Sequence, residues 1–322
     1  MRFTPIIPFE PVSSDKIPEG KDWVSQIKWD GVRILTYFDG HSVKLFNRKR
    51  NERTITYPEL TDIKAFSAAS SFIIDGEVIA LDKDGKPSFH TVMQRDRLMH
   101  PDKIKEAIHT NPIFYMIFDV IFCNSKWIHE RSLLDRMDLL SKMIKPTEKV
   151  QLVSAQKDGL PLFDVVKQHG LEGIVTKNIN SGYFIGGKNA NWQKIKNYYD
   201  VIAVVGGVTY RSGIVNSLLL GLFNERNQLC YIGSAGTGKL TDDEWKAFTR
   251  GIEPLKTMKT PFSNQPERKN KVQWLKPVIT VKIQYIEWRN GHSLRQPSIQ
   301  AFVDQPAALC KLSDLIVKHK NT

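Results

Sequence analysis

From about residue 198 onwards the chain reads as a succession of short apolar strands: "DVIAVVGGV", "SLLLGLF", "LCYIG" and "VITVKIQYIEW". One helical segment, "TDDEWKAFTRGI", interrupts them, with Thr241 as its cap. Few architectures bury several short strands with a single helix, and the pattern predicts a small β-barrel of the OB type over residues 198–322. The stretch 259–274 is polar, basic and Pro-containing, and reads as a loop.

Residues 1–197 have another texture. "GVRILTYFDGHSVKLFNRKR" predicts two strands around an Asp39-Gly40 turn, and "SSFIIDGEVIALDKDGKPSF" a second hairpin around Asp84-Gly85. "NPIFYMIFDVIF" reads as a buried strand. "RSLLDRMDLLSKMI" has helical spacing and a capping pair, Ser132 with Asp135. "PLFDVVKQHGLEG" is a helix stopped by Gly170, and "GIVTK" returns to a strand. The fold class expected is α+β, with a domain boundary near residue 198; 322 residues suffice for two domains.

The 46 Lys and Arg residues outnumber the 34 acidic ones, giving +12, a charge that favours capture of polyanions such as nucleic acid. The three cysteines, Cys123, Cys230 and Cys310, lie far apart, which excludes a C-x-x-C zinc site and argues against a disulfide framework. No apolar run approaches a membrane span, and the N-terminus lacks a secretion pattern. A monomer in a reducing cytoplasm, with no membrane partner, is expected.

One glycine-rich stretch invites a nucleotide. "GSAGTGK", 233–239, fits the phosphate-cradling pattern G-x-x-x-x-G-K, but Leu240 stands where a magnesium-binding Ser or Thr is needed. Two readings remain: a turn leading into the helix capped by Thr241, or backbone N–H groups and Lys239 meeting a DNA phosphate.

Better candidates lie in the first half. "IKWDGVRI" gathers Lys28, Asp30, Gly31 and Arg33 at the start of a strand. A lysine becomes a nucleophile when burial or neighbouring cations keep its amine neutral. "FIIDGEVIA" sets Glu77 in an apolar strand, "LEGIVTKN" does the same for Glu172 and Lys177, and "NWQKIKN" places Lys194 and Lys196 on one strand face. Charges flanked by Ile and Val are costly to bury without partners. Two carboxylates suit magnesium, and paired lysines suit a phosphate.

In this order and spacing the segments resemble the covalent nucleotidyltransferases, specifically ATP-dependent DNA ligases of the minimal phage and bacterial type. "KWDGVR" is similar to the nucleophile motif K-x-D-G-x-R. "LFNRKRNERT", "DGEVIA", "YMIFDVIF", "LEGIVTKN" and "WQKIK" resemble the motifs that follow it, and "LRQPS" resembles an element near the end of such ligases. The resemblance implies an adenylation domain of antiparallel sheets and helices over 1–197 and an OB domain over 198–322 that binds DNA. It implies that Lys28 takes AMP from ATP, that AMP passes to the 5′-phosphate of nicked double-stranded DNA, and that the 3′-hydroxyl then seals the strand. Lys194 and Lys196 would assist at the α-phosphate. Nucleotide contacts would come from Ile27, through its backbone, and from Arg33, Arg48, Glu77, Phe118, Lys177, Lys194 and Lys196, with Phe118 stacking on adenine. Glu77 and Glu172 would hold Mg2+, for which Mn2+ would substitute. Arg33, Arg48, Lys239 and Arg295 would contact DNA.

Three positions depart from the family pattern: Gln26 stands two residues before Lys28 where Glu is common, and Val303 and Gln305 stand where basic residues are expected. Guanylyl transfer to RNA, RNA ligation, a non-catalytic OB-type nucleic-acid binder and a P-loop NTPase are the competing readings. The first two share the lysine motif, the third leaves the ordered motifs without a role, and the fourth lacks its Ser or Thr.

Overall fold

The structure is a computed structural model that describes residues 4–83, 85–236, 238–266, 271–289 and 293–320, without the side chains of 289 and 317–320. The chain forms two compact units, Met1–Asn197 and Tyr198–Thr322.

The first unit is built on two sheets. One has six strands: Val43–Asn47, Val32–Phe38, Phe72–Ala80, Ile113–Cys123 and Lys126–Trp127 in sequence across the sheet, with Val150–Leu152 parallel to Ile113–Cys123. The other has four, in the order Glu10–Ser13, Lys188–Lys196, Gly173–Asn178, Trp23–Ile27. Strand alternation gives the six-stranded sheet two apolar faces. Ile34, Leu45, Ile74, Val78 and Ile117 face one way, into a core that Val92, Leu140 and Met143 from flanking helices complete. Leu35, Tyr37 and Ile73 face the other way, where they meet Tyr183 and Trp192 from the side of the four-stranded sheet. Helix Gly159–Gln168 covers the far side of that second sheet through Val166 against Ile174 and Ile195.

The hairpin at Asp39-Gly40 is present, with Asp39 Oδ1 accepting the N–H groups of His41 and Ser42. The second hairpin is present as a short turn without a full second strand: Leu81 bridges Pro87, the Asp82 N–H donates to the Lys86 carbonyl at 2.8 Å and the Ser88 N–H to the Ala80 carbonyl at 2.9 Å. Ser88 then caps helix Phe89–Asp96 by accepting the Thr91 N–H, so the cap ends the returning strand; Asp84 itself lies outside the described residues. The helix Pro101–Thr110 was also not apparent in the sequence pattern, whereas the Ser132–Asp135 cap and the stop after Gln168, with Gly170 at φ +62°, are as the sequence indicates.

The second unit is a curled sheet in the order Leu229–Ala235, Ile214–Phe223, Tyr199–Arg211, Val272–Tyr285, with Ser298–Val303 on the far side of the last. A bridge between Gly238 and Ile299, with the Lys239 N–H donating to the Ile299 carbonyl at 2.8 Å, joins the two ends and closes the barrel. The GSAGTGK stretch is therefore a seam. Gly233, Ser234 and Ala235 lie in the ladder opposite Leu220, Leu219 and Leu218. A phosphate cradle needs a run of free N–H groups, and here the ladder takes up residues 233–235 and the seam takes the Lys239 N–H. Thr241 then caps helix Asp242–Gly251 with a full capping box; Thr237 lies outside the described residues. A further helix, Leu312–Lys320, follows where a single helix was expected.

Candidate active site

The segment Lys28–Gly31 is the crossing from one sheet of the first unit to the other. The strand Trp23–Ile27 pairs with Gly173–Asn178, and Lys28 extends that ladder by donating its N–H to the Gly173 carbonyl at 2.9 Å. Four residues later the chain is in the other sheet, with Val32 opposite Val78. Only glycine fits the crossing: a Cβ on Gly31 would lie 2.2 Å from the Val78 carbonyl oxygen. Gly173 is equally constrained, at φ +151° with a Cβ position 2.2 Å from the Ile195 carbonyl oxygen. These two glycines bring Lys28 and Glu172 together.

Lys28 Nζ donates to Glu172 Oε2 at 2.5 Å, and Lys196 Nζ stands 3.3 Å from Glu172 Oε1. Glu172 is buried at 8% exposure, a carboxylate shared by two lysines. A cavity of about 880 Å³ opens beside them. Lys28, Arg33, Glu77, Phe118, Lys177 and Lys194 line it, as do Ile27 and Arg48. Lys194 has its amine pushed below the ordinary range by burial, and further by the charges of Lys196 and Lys28. Burial pushes the Glu77 carboxyl up to about 8, against the pull of Lys28 and Arg33. Among the described residues no group of three or more Asp, Glu, His or Cys side chains surrounds a cation position. The carboxylates therefore fit a magnesium ion only jointly with phosphate oxygens of a nucleotide, which is how that ion is commonly held.

Arg33 is placed differently from the expectation that it touches DNA. Its Nε donates to Asp75 Oδ1 at 2.9 Å and its Nη2 to Asp75 Oδ2 at 2.5 Å and to the Tyr183 hydroxyl at 3.2 Å. Its side chain is 12% exposed, so it can meet only what enters the cavity. Arg48 is exposed and its Nη2 donates to Glu10 Oε2 at 2.6 Å. Arg295, expected to contact DNA, is 5% exposed with its Nη1 3.4 Å from Glu287 Oε2, so its charge is turned to the hairpin it belongs to. Lys239 is exposed.

Sequence reasoning passed over Asp75, Tyr183 and Trp192. Asp75 was within reach, since it stands two residues before Glu77 in the same apolar strand and therefore on the same face. Tyr183 gives no such signal. Its hydroxyl donates to Asp75 Oδ2 at 2.6 Å across 108 residues of sequence.

A two-sheet domain with a carboxylate-held lysine at the sheet crossing, followed by a closed barrel, defines a nucleotidyltransferase domain joined to an OB domain. Residues 12–196 match the family described as "ATP dependent DNA ligase domain", and residues 211–304 match the "ATP dependent DNA ligase C terminal region". The chain belongs to the ATP-dependent DNA ligases. It is 29% identical over 286 residues to the multifunctional non-homologous end joining protein LigD of Mycobacterium bovis, covering 87% of this chain and 36% of that protein's length. The chain thus spans about a third of those mycobacterial relatives. It is 34% identical over 189 residues to the SPbeta prophage-derived DNA ligase-like protein LigB of Bacillus subtilis, covering 58% of this chain and 66% of that one. A solved structure described as mycobacterial DNA ligase D complexed with ATP and MES is 25% identical, with a TM-score of 0.51, over 95% of this chain and 97% of that chain. Among the described residues no helix is long and apolar enough to cross a membrane.

Proposed function

We propose that the chain seals nicks in duplex DNA through a lysyl-AMP intermediate on Lys28. The observation that carries this reading is the placement of Lys28, against Glu172 and beside Lys196, on the rim of a nucleotide-sized cavity. The Lys28 amine attacks the α-phosphate of ATP, an N–P bond forms, the bond to pyrophosphate breaks, and the amine gives up its proton. Glu172, already hydrogen-bonded to Nζ, orients the amine for this step. Lys194 and Lys196 balance charge at the α-phosphate. Phe118 stacks on the adenine, the Ile27 backbone and Lys177 read its edges, and Arg33 and Glu77 hold the ribose. AMP then passes to the 5′-phosphate of the nick, which Arg48 helps hold, and attack by the 3′-hydroxyl joins the strands and releases AMP. Magnesium, for which manganese can substitute, supplies charge neutralisation on the phosphates when bound, and Glu77 and Glu172 are the residues to hold it.

Incubation with α-labelled ATP or GTP and magnesium, followed by denaturing electrophoresis, tests the reading. Label from ATP that stays with the protein supports it, and label from GTP alone moves it to guanylyl transfer.

Two further outcomes are expected. Glu172→Ala lowers the labelling rate roughly a hundredfold, the scale of losing one electrostatic contact in a site, with a smaller effect on affinity for nicked DNA. Normal labelling at limiting magnesium would remove Glu172 from the metal site. Lys239→Ala leaves labelling intact and reduces the slope of log affinity against log salt by about one, the loss of one phosphate contact. An unchanged slope leaves Lys239 as a solvated residue beside the barrel seam.

A further inference from the structure

The Lys177 amine is both buried and without a hydrogen-bond partner among the described residues: the residue is 2% exposed, and its Nζ is shut off from water. It lies 4.0 Å from the Trp192 ring centroid and 4.5 Å from that of Phe118. The Trp192 indole N–H is also buried and without an acceptor, and Phe118, Lys177 and Trp192 all line the cavity. Behind one wall of the cavity thus lie two buried donors and an aromatic face. Buried donors are normally paired, so the Lys177 amine is held here without compensation.

The charges around Lys177 do not supply a counter-ion. Asp119, on Ile113–Cys123, is committed to Arg136 from helix Leu133–Met143, with Arg136 Nε at 2.7 Å and Nη2 at 3.0 Å. Asp75, on Phe72–Ala80, is committed to Arg33 and to the Tyr183 hydroxyl. Each carboxylate has its own guanidinium, so a protonated Lys177 would be one positive charge in excess. Burial pushes its amine down to about 7, with Asp119 and Asp75 pulling it up and Arg33 and Arg136 pushing it down.

We infer that Lys177 couples nucleotide binding to proton uptake: the amine gains a proton from solvent as an adenine nucleotide brings its negative phosphates into the cavity that Lys177 lines. This rests on the reading of the cavity as the ATP site. The direction follows from burial. Ordinarily a ligand desolvates a lysine and disfavours its charge, but this amine is already dry, so binding adds only negative charge, which favours the ammonium. Below about pH 7 Lys177 is charged with or without ligand, and affinity is flat in this respect. As pH rises above that value, affinity falls by up to about tenfold per unit until the bound amine also loses its proton.

The test is calorimetric titration at pH 8 with α,β-methylene-ATP, which cannot transfer its nucleotidyl group, in buffers of different ionisation enthalpy. Wild-type protein is expected to take up close to one proton, and both Lys177→Met and Lys177→Arg, whose guanidinium stays charged at this pH, to take up none. Uptake near zero in wild type overturns the inference, as does uptake that persists in either variant. Should Lys177→Met fail to bind, the wild-type and Lys177→Arg titrations decide. Failure of the analogue to bind wild-type protein would instead strike at the ATP reading itself, whereas binding without uptake leaves that reading standing.

Discussion

Lys28→Ala abolishes covalent labelling by α-labelled ATP, lowering it by at least about three orders of magnitude, as expected for loss of a nucleophile. The same variant still seals nicked DNA whose 5′-phosphate already carries AMP, because the last step needs the 3′-hydroxyl and not the lysine. The substitution leaves the site otherwise in place: Glu172 keeps Lys196 as a partner at 3.3 Å, so its buried carboxylate is not stranded. Gel labelling and sealing of pre-adenylylated substrate are read side by side. Acid-labile AMP still attached to the Lys28→Ala protein would show that another residue is the nucleophile.

The second large effect concerns stability. Asp119 and Arg136 are both fully buried, and Arg136 also donates to the carbonyls of Arg131 and Ser181. Arg136→Met removes the guanidinium and leaves the Asp119 carboxylate without its hydrogen-bonded partner in a dry interior. Breaking a pair of this kind costs about 3–5 kcal/mol. The denaturation midpoint of the first unit, followed in the full chain, is expected to fall accordingly, and Asp119→Leu combined with Arg136→Met to recover part of the loss. A single variant within about 1 kcal/mol of wild type would mean that water or a neighbouring cation reaches Asp119, contrary to its burial.

Both predictions begin from residues that stand out in different ways. Lys28 sits in a short polar motif, and a reader of the sequence meets it at once. Arg136 lies in a helix whose apolar spacing suggests only a packed face. Nothing local says that an arginine on it reaches 17 residues back to the preceding strand's Asp119.

The sequence by itself determined the element types wherever local chemistry was strong. The Asp39-Gly40 turn, the Ser132 and Thr241 caps and the buried strand at 113–123 follow from preferences acting over a few residues. It also singled out the residues that line the cavity, since Glu77, Lys177 and Lys194 are charges among apolar neighbours, which is costly unless something pays for it. Tertiary structure alone decided the partners. Whether Arg33 meets DNA or Asp75 depends on strands brought together across 42 to 150 residues of sequence, and whether Arg295 is outward or buried and whether Lys177 has an acceptor are likewise settled by what packs around them. The glycine-rich stretch at 233–239 makes the same point. Its letters suit a phosphate loop, yet Gly233–Ala235 lie in a ladder with 218–220 and the Lys239 N–H is committed to the Ile299 carbonyl. Periodicity states which face a side chain takes, and only the closed barrel states which hydrogen bonds are already spent.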